Sequence, residues 1–428
     1  MQGQLDLFAL PPTQTSIQSS RWSEYLPIST IQGTTPLEFV LEGSGSDYLD
    51  LSSVLLHLRV KLVQPNGDDL AADSTAGPIN LLLHSIFSQV DVSLNNVLVS
   101  SSTNTYAYRS YIETLMSYGT DAKKSQFTSE LYYRDDPGRM NSILRAPADG
   151  QNPNDGLQKR RNFTAESREV DLMGRLHCDL FLQSKYLVNE VSIKLKLIRN
   201  SHEFVTMGAD SKLVITYAAI YARKIKLSPS VFLAHAKALE TASAQYHLKR
   251  VVCKSIAIPR GLRDSQHEKI FTGNIPTRII IGLVDNAAYN GSREHNPYLF
   301  HHYNLSEAGI FVDGQLENTM KPIEMSFANN RYIRAYSSLF SGTGKQFGDE
   351  GIDINRTEYS QGYTLLAWDM TADAAENDHL NLIKNGSVRL SLKFSEALPH
   401  TVSCIVYAEF DSLLSIDKHR QVIVDFTV

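Results

Sequence analysis

The stretch VSIKLKL at residues 191–197 decides the fold of this chain of 428 residues. Its apolar residues occupy every second position, which is the period of a β-strand with one buried face and one solvated face. A similar stretch, VRLSLKF, occupies residues 388–394. The alternation predicts β-sheet, and its recurrence suggests that the chain contains two copies of one β unit.

Two further pairs of similar segments occur in the same order. YAYRSYIETLMSYG at 106–119 matches RYIRAYSSLFSGTG at 331–344, with Arg109 aligned to Arg334. VITYAAI at 214–220 matches CIVYAEF at 404–410. The offset falls from 334 − 109 = 225 to 404 − 214 = 190, because a long loop rich in Pro, Gly, Asn and Asp at 134–166 interrupts only the first copy. We interpret these matches as an internal duplication.

The duplication predicts an all-β protein of two tandem sandwiches with a few helices in their loops; two jelly rolls, a double jelly roll, are one arrangement that fits. Jelly rolls have about eight strands in two packed sheets and accept helices in their connections. Other Greek-key sandwiches fit the same pattern. The expected domains are an extended N-terminal arm at 1–35, a first jelly roll at 36–227, a connecting helix at 228–242 and a second jelly roll at 243–428.

The N-terminal arm combines apolar residues with helix-breaking prolines. Prolines fix φ and remove a hydrogen-bond donor, so the segment is expected to be extended. It is too apolar for a free tail, and we expect it to dock on another part of the assembly. The candidate assembly residues are Leu5, Leu7, Phe8, Leu10, Pro11, Pro12 and Trp22.

Charge and composition exclude several classes of protein. The chain carries 41 Lys+Arg against 46 Asp+Glu, a net charge of −5, so strong direct nucleic-acid binding is not expected. Three cysteines cannot form a disulfide framework. The sequence contains no apolar run of the roughly 20 residues that a membrane span needs, and it does not begin with the pattern of a signal peptide.

A search for reactive motifs finds no recognisable reaction centre. The segment GTGK at 342–345 lacks the first glycine and the final Ser/Thr of a phosphate-binding loop. His301-His302 has no Cys or carboxylate at zinc spacing and is expected to end a strand. The basic run at 159–161 is expected to be solvated. We therefore predict no catalytic, metal-binding or cofactor-binding residues and no cofactor, and a structural protein in preference to an enzyme.

Several segments of the first half resemble one protein family. They are LDLF at 5–8, PPTQT at 11–15, YLDL at 48–51, NLLLHSIFSQV at 80–90 and the stretch from LNN at 94–96 to YAYRSY at 106–111. In these segments the chain resembles the major capsid proteins of small double-stranded DNA viruses of the Polinton, adintovirus and Polinton-like type. The resemblance is strongest over residues 5–120.

The resemblance implies a virion protein that is assembled inside the host cell. Three double jelly-roll subunits would form a homotrimer, a pseudo-hexagonal capsomer that tiles an icosahedral shell. The implied partners are neighbouring capsomers, penton proteins and minor capsid proteins. Two alternatives are a carbohydrate-binding or adhesive β-sandwich protein and a β-sandwich hydrolase whose catalytic residues cannot be recognised from sequence.

Overall fold

A computed structural model of the chain describes residues 13–43, 45–100, 103–316, 321–348, 351–372 and 381–425. The strands are β1 (Ile17–Tyr25), β2 (Leu37–Leu41), β3 (Asp47–Val63), β4 (Gly77–Pro78), β5 (Phe87–Leu94), β6 (Val97–Leu98), β7 (Val170–Arg175), β8 (Ile193–Arg199), β9 (Thr206–Met207), β10 (Lys212–Leu227), β11 (Ala244–Ile258), β12 (Asp264–Asn274), β13 (Arg278–Asp285), β14 (Leu305–Val312), β15 (Gln315–Leu316), β16 (Ile323–Glu324), β17 (Leu365–Asp369), β18 (Asn385–Phe394), β19 (Val402–Ile416) and β20 (Val422–Val424).

Helices lie in the connections between strands. The α-helices are α1 (Leu82–Ser85), α2 (Tyr106–Ser117), α3 (Thr120–Lys124), α4 (Asp155–Thr164), α5 (His202–Val205), α6 (Pro229–Leu239), α7 (Asn286–Asn290), α8 (Ile333–Ser341) and α9 (Arg356–Ser360). Short 3₁₀ helices occur at Gln126–Glu130, Ala165–Ser167 and Asp179–Leu182. No helix among the described residues is long and apolar enough to cross a membrane.

The first half of the chain forms a sandwich of two antiparallel sheets. One sheet has the strand order β1-β10-β3-β7, and the other has the order β2-β8-β5-β6. Strand β8 includes residues 193–197 of the alternating stretch, and Ile193, Leu195 and Leu197 are fully buried. Strand β8 pairs with both β2 and β5, so its alternating side chains lie at the centre of the second sheet.

The second half repeats the two four-stranded orders of the first half, whereas β4 and β9 of the first half form a further two-stranded sheet. Its sheets have the orders β11-β19-β13-β17 and β12-β18-β14-β15, with β20 added beside β19 and β16 beside β14. The counterparts, in chain order, of β1, β2, β3, β5, β6, β7, β8 and β10 are β11, β12, β13, β14, β15, β17, β18 and β19. With these substitutions, the two strand orders of the first half become those of the second half. Strands β8 and β18, the two similar stretches, occupy equivalent places. The prediction of two tandem sandwiches with one strand order is therefore confirmed.

The structure differs from the expected arm at Ile17–Tyr25, which form strand β1 at the edge of the first sandwich. Trp22 pairs with Arg223, and Tyr25 pairs with Ile220. Most β1 side chains are exposed on both faces, so the strand has no apolar alternation to indicate it. Backbone pairing with β10 defines it instead. Strand β1 corresponds to β11, which precedes β12 in the second half, so the duplicated fold includes a strand ahead of β2.

The segment 134–166 also differs from the expected surface loop. It contains helix α4. The N-cap residue Asn154 precedes this helix, and its side chain accepts a hydrogen bond from the backbone N–H of Gly156. Gly156 packs so closely that a Cβ there would lie 2.2 Å from the carbonyl oxygen of Arg134. Part of its polar character serves the interior, because Asp135, Asn154 and Arg160 bond to one another while buried.

Candidate functional site: the junction between the two sandwiches

The connection between β6 and β7 packs against the second sandwich, and we call this contact region the junction. Helix α2 is its central element. Every residue of α2 except Ser117 is buried, including Arg109 and Glu113. A helix on a protein surface exposes its polar face, so the burial of this polar face places α2 between other parts of the protein.

Stacked aromatic rings join the two halves at the junction. Tyr111 of α2 stacks on Tyr298 of the second half, with ring centroids 4.0 Å apart and an interplanar angle of 8°. Tyr108 stacks on Tyr289 at 5.7 Å. Burial raises the pKa of Tyr111 well above its usual value, which keeps the phenol neutral. Such pairs add about 0.5–1.5 kcal/mol each beyond the burial of their area.

A first polar cluster connects α2 to β11 and β19. The Arg109 guanidinium lies 2.8 Å from Glu113 and 2.6 Å from Asp179. Asp179 also accepts a hydrogen bond from the backbone N–H of Val251 on β11, and the Tyr407 hydroxyl on β19 donates to Glu113. Burial alone would raise the pKa of Glu113, but Arg109 and a hydrogen bond from His177 outweigh it and lower the pKa to about 2. Glu113 is therefore an anion that links both sandwiches.

A second polar cluster surrounds Asp135. Its carboxylate bonds to Arg160 at 2.7 Å, to Asn154 at 2.8 Å and to Asn296 of the second half at 3.0 Å. The Tyr363 hydroxyl, also of the second half, donates to its backbone carbonyl. The side chains of Asp135 and Arg160 are 0% exposed. Buried charges of this kind are tolerated only when fully paired, so this cluster holds the sandwiches in one relative position.

The sequence did not predict either cluster. The basic run at 159–161 was expected to be solvated, which is correct for Lys159 and wrong for Arg160 and Arg161, both of which are buried. Arg109 and Arg334, aligned by the repeat, lie near the N-termini of α2 and α8 but in different surroundings. Arg334 donates hydrogen bonds to the backbone carbonyls of Lys321 and Pro322. Asp135 and Asn296 lie 161 positions apart, so no local pattern connects them.

The candidate assembly residues of the arm are only partly within the described chain. Leu5, Leu7, Phe8, Leu10, Pro11 and Pro12 lie outside the described residues. Trp22 lies on β1 with 55% of its surface exposed. Leu26 and Ile28 follow it at 60% and 65% exposed. We call Trp22, Leu26 and Ile28 the exposed apolar edge.

The residues just before β1 lie beside the connecting helix α6. The backbone N–H of Ser228, just before α6, bonds to the carbonyl of Ser16. Helix α6 has no buried residue, and Leu233 is 66% exposed. His235 of α6 lies 3.1 Å from the Tyr48 hydroxyl, which attaches the helix to the start of β3. Ser16, just before β1, and the start of the connecting helix therefore lie side by side.

A pH dependence of stability is expected at His302. Its ring stacks on Phe327 at 4.0 Å, and its Nδ1 accepts a hydrogen bond from the backbone N–H of Asn304. Burial lowers the pKa of His302 to about 4. In the unfolded chain this pKa is about 6.5. Between pH 6.5 and pH 4 the unfolded state binds the additional proton, so this contribution to stability is complete above pH 6.5 and is lost as the pH falls.

The variant His302→Asn keeps an acceptor for Asn304 and removes the titrating ring. We expect its melting temperature to fall less steeply than that of the wild type between pH 6.5 and pH 4. Parallel thermal melts at several pH values measure the slopes. Equal slopes in the two proteins would contradict the assignment, whatever the absolute stability of the variant.

Comparison with known proteins gives one sequence relative and several solved structures of the same fold. No protein-family model matches the chain. The uncharacterized protein F54H12.2 of Caenorhabditis elegans is 29% identical over 437 residues, which covers 98% of this chain and 100% of the relative.

The structural matches extend over nearly the whole chain. A chain of the Sputnik virophage, solved by cryo-electron microscopy, matches with a TM-score of 0.69 at 11% identity, covering 99% of this chain and 92% of that one. The Faustovirus major capsid protein matches with a TM-score of 0.59 at 8% identity, covering 96% of this chain and 92% of that one. At such identities the likeness concerns the fold. Together with the strand order, it establishes that this chain has the double jelly-roll fold of these viral proteins.

Proposed function

We propose that this protein is the major capsid protein of an icosahedral double-stranded DNA virus. The observation that carries the proposal is the duplication itself: two sandwiches of one strand order, joined in a single chain. Solved viral proteins share this arrangement along nearly their full length. Three such chains place six similar sandwiches around one axis, which gives a capsomer of nearly hexagonal outline suited to tiling a closed shell.

The junction supports a structural role. A capsomer keeps its outline only if the two sandwiches of each chain keep a constant angle. Buried stacks and fully bonded polar clusters provide that rigidity, since close-packed interiors resist deformation. Contacts between capsomers can then be individually weak, because many act at once.

The proposed partners follow from this role. They are two further copies of this chain in the capsomer, neighbouring capsomers, penton proteins and minor capsid proteins. A net charge of −5 disfavours strong direct contact with the genome. The proposed location is the virion capsid.

The arm has a proposed role in closing the shell. We propose that residues 1–12 dock under their own or a neighbouring capsomer on the inner face of the shell. Each buried apolar side chain contributes about 1.5–3 kcal/mol before the cost of ordering the chain. The exposed apolar edge lies toward the other end of β1 and would form a separate contact surface.

The oligomeric state tests the capsid proposal. We expect the purified protein to sediment as a trimer of the 47.9 kDa chain and to appear as hexagonal particles by electron microscopy. Obligate interfaces of this kind bury about 2,000 Å² or more. A stable monomer at micromolar concentration would contradict the proposal. A monomer that binds glycans on an array would instead favour the carbohydrate-binding alternative.

A further inference from the structure

Three potential metal ligands meet inside the first sandwich. They are His84 of α1, Glu130 of the 3₁₀ helix at 126–130, and His177 in the segment after β7. Each offers one ligand atom, and these atoms all lie within 4.8 Å of one another. All three residues are buried. In a tetrahedral zinc site the ligand atoms are roughly 3.3 Å apart, given metal–ligand distances of about 2.0–2.1 Å, so a small movement brings these atoms to coordinating distance.

The surrounding hydrogen bonds orient both imidazoles. His177 Nδ1 lies 2.6 Å from the Glu113 carboxylate, which leaves its Nε2 as the nitrogen available to a metal. His84 Nδ1 lies 3.0 Å from the Tyr106 hydroxyl, and its Nε2 lies 3.1 Å from Glu130. Histidine ligands in proteins almost always donate their second ring N–H to such a partner, which fixes the tautomer and the ring orientation.

Carboxylates lie beside both imidazoles. Glu130 contacts His84, and Glu113 contacts His177. A carboxylate next to a histidine ligand is a common arrangement in metal sites.

The backbone leaves space for the carboxylate. A Cβ on Gly174 of β7 would lie 2.2 Å from Oε1 of Glu130. Glycine at this position therefore allows the carboxylate to lie against the sheet and face the two histidines. A cleft of about 490 Å³, lined by Glu113, His177 and Tyr407, reaches His177 from the junction side.

We propose that His84, Glu130 and His177 bind a divalent zinc ion that stabilises the junction. Two imidazoles and one carboxylate with a fourth position for water are a ligand set that zinc commonly takes. The ion would join the β4–β5, β6–β7 and β7–β8 connections of the first sandwich. It would lie next to Glu113, which contacts the second sandwich. This inference does not depend on the capsid proposal.

Metal analysis of the full-length protein is the first test. After expression with zinc and dialysis against metal-free buffer, we expect about one zinc per chain. Removal with a strong chelator is expected to lower the melting temperature, and zinc alone is expected to restore it. Absence of stoichiometric zinc, together with a melting temperature that zinc does not change, would overturn the proposal and leave a plain hydrogen-bonded cluster.

Cobalt substitution tests the ligand set without any mutation. Cobalt(II) in the zinc-depleted wild-type protein is expected to give the visible bands of a tetrahedral site with nitrogen and oxygen ligands. It is expected to lack the near-ultraviolet charge-transfer band of a cobalt thiolate. A strong thiolate band would assign the metal to Cys178 or another cysteine and would refute the proposed ligands.

Variants then assign the residues. His177→Gln and Glu130→Gln are expected to lose bound zinc, whereas the control His295→Gln, outside the cluster, keeps it. Gly174→Ala removes no ligand but displaces the Glu130 carboxylate, and it is expected to weaken zinc affinity. Glu113→Gln is expected to weaken affinity about 10–100-fold through the orientation of His177. Full zinc binding by folded His177→Gln protein would overturn the assignment.

Discussion

Replacing Arg160 with methionine is expected to destabilise the protein by about 3–5 kcal/mol, the usual cost of leaving one member of a buried ion pair without its partner. Arg160 contacts Asp135 at 2.7 Å, and neither side chain is exposed. Its guanidinium also donates to the backbone carbonyls of Pro78 and Tyr133. The variant therefore removes one hydrogen-bond donor from the buried carboxylate of Asp135 and one from each of the two backbone carbonyls.

The matched control is Lys159→Met, which makes a similar change one position earlier on the exposed side of α4. Exposed substitutions of this kind usually change stability by no more than about 0.5 kcal/mol. Chemical denaturation of both variants measures the difference. Similar unfolding midpoints for the two variants would contradict the role given to the Asp135 cluster in holding the sandwiches together.

The second large effect concerns assembly, and two truncations separate the arm from the strand that follows it. Deleting residues 1–12 leaves β1 intact, and we expect folded trimers that fail to close shells under conditions in which the full chain does. Deleting residues 1–25 also removes β1 and exposes the hydrogen-bonding edge of β10. Such an open edge favours aggregation, so the longer truncation is expected to yield little soluble trimer.

Sedimentation measures the trimers, and electron microscopy counts the shells. If the protein without residues 1–12 forms shells with normal yield and salt resistance, the arm is a passive tail and its proposed docking is wrong. If the protein without residues 1–25 is as soluble and stable as the shorter truncation, β1 contributes little to the first sandwich. The two outcomes are independent, because they concern different segments.

The alternating segments determined much of the fold from sequence alone. The stretches at 191–197 and 388–394 became β8 and β18, equivalent central strands of equivalent sheets. This success has a physical reason: a strand with one buried face carries its own period, which is visible in a few consecutive residues. In a duplicated chain the same period occurs twice, so each copy supports the strand assignment of the other.

The edge strand β1, the buried Arg160 and the histidine pair depend on contacts between segments that are far apart in the sequence. Strand β1 is recognised by its pairing with β10, since its side chains are mostly exposed and carry no period. Arg160 is buried because Asp135 and two backbone carbonyls surround it. His84 and His177 meet although 93 positions separate them. Apolar alternation is local information, whereas the partner of a buried charge or a ligand is set by which distant segments the sheets bring together.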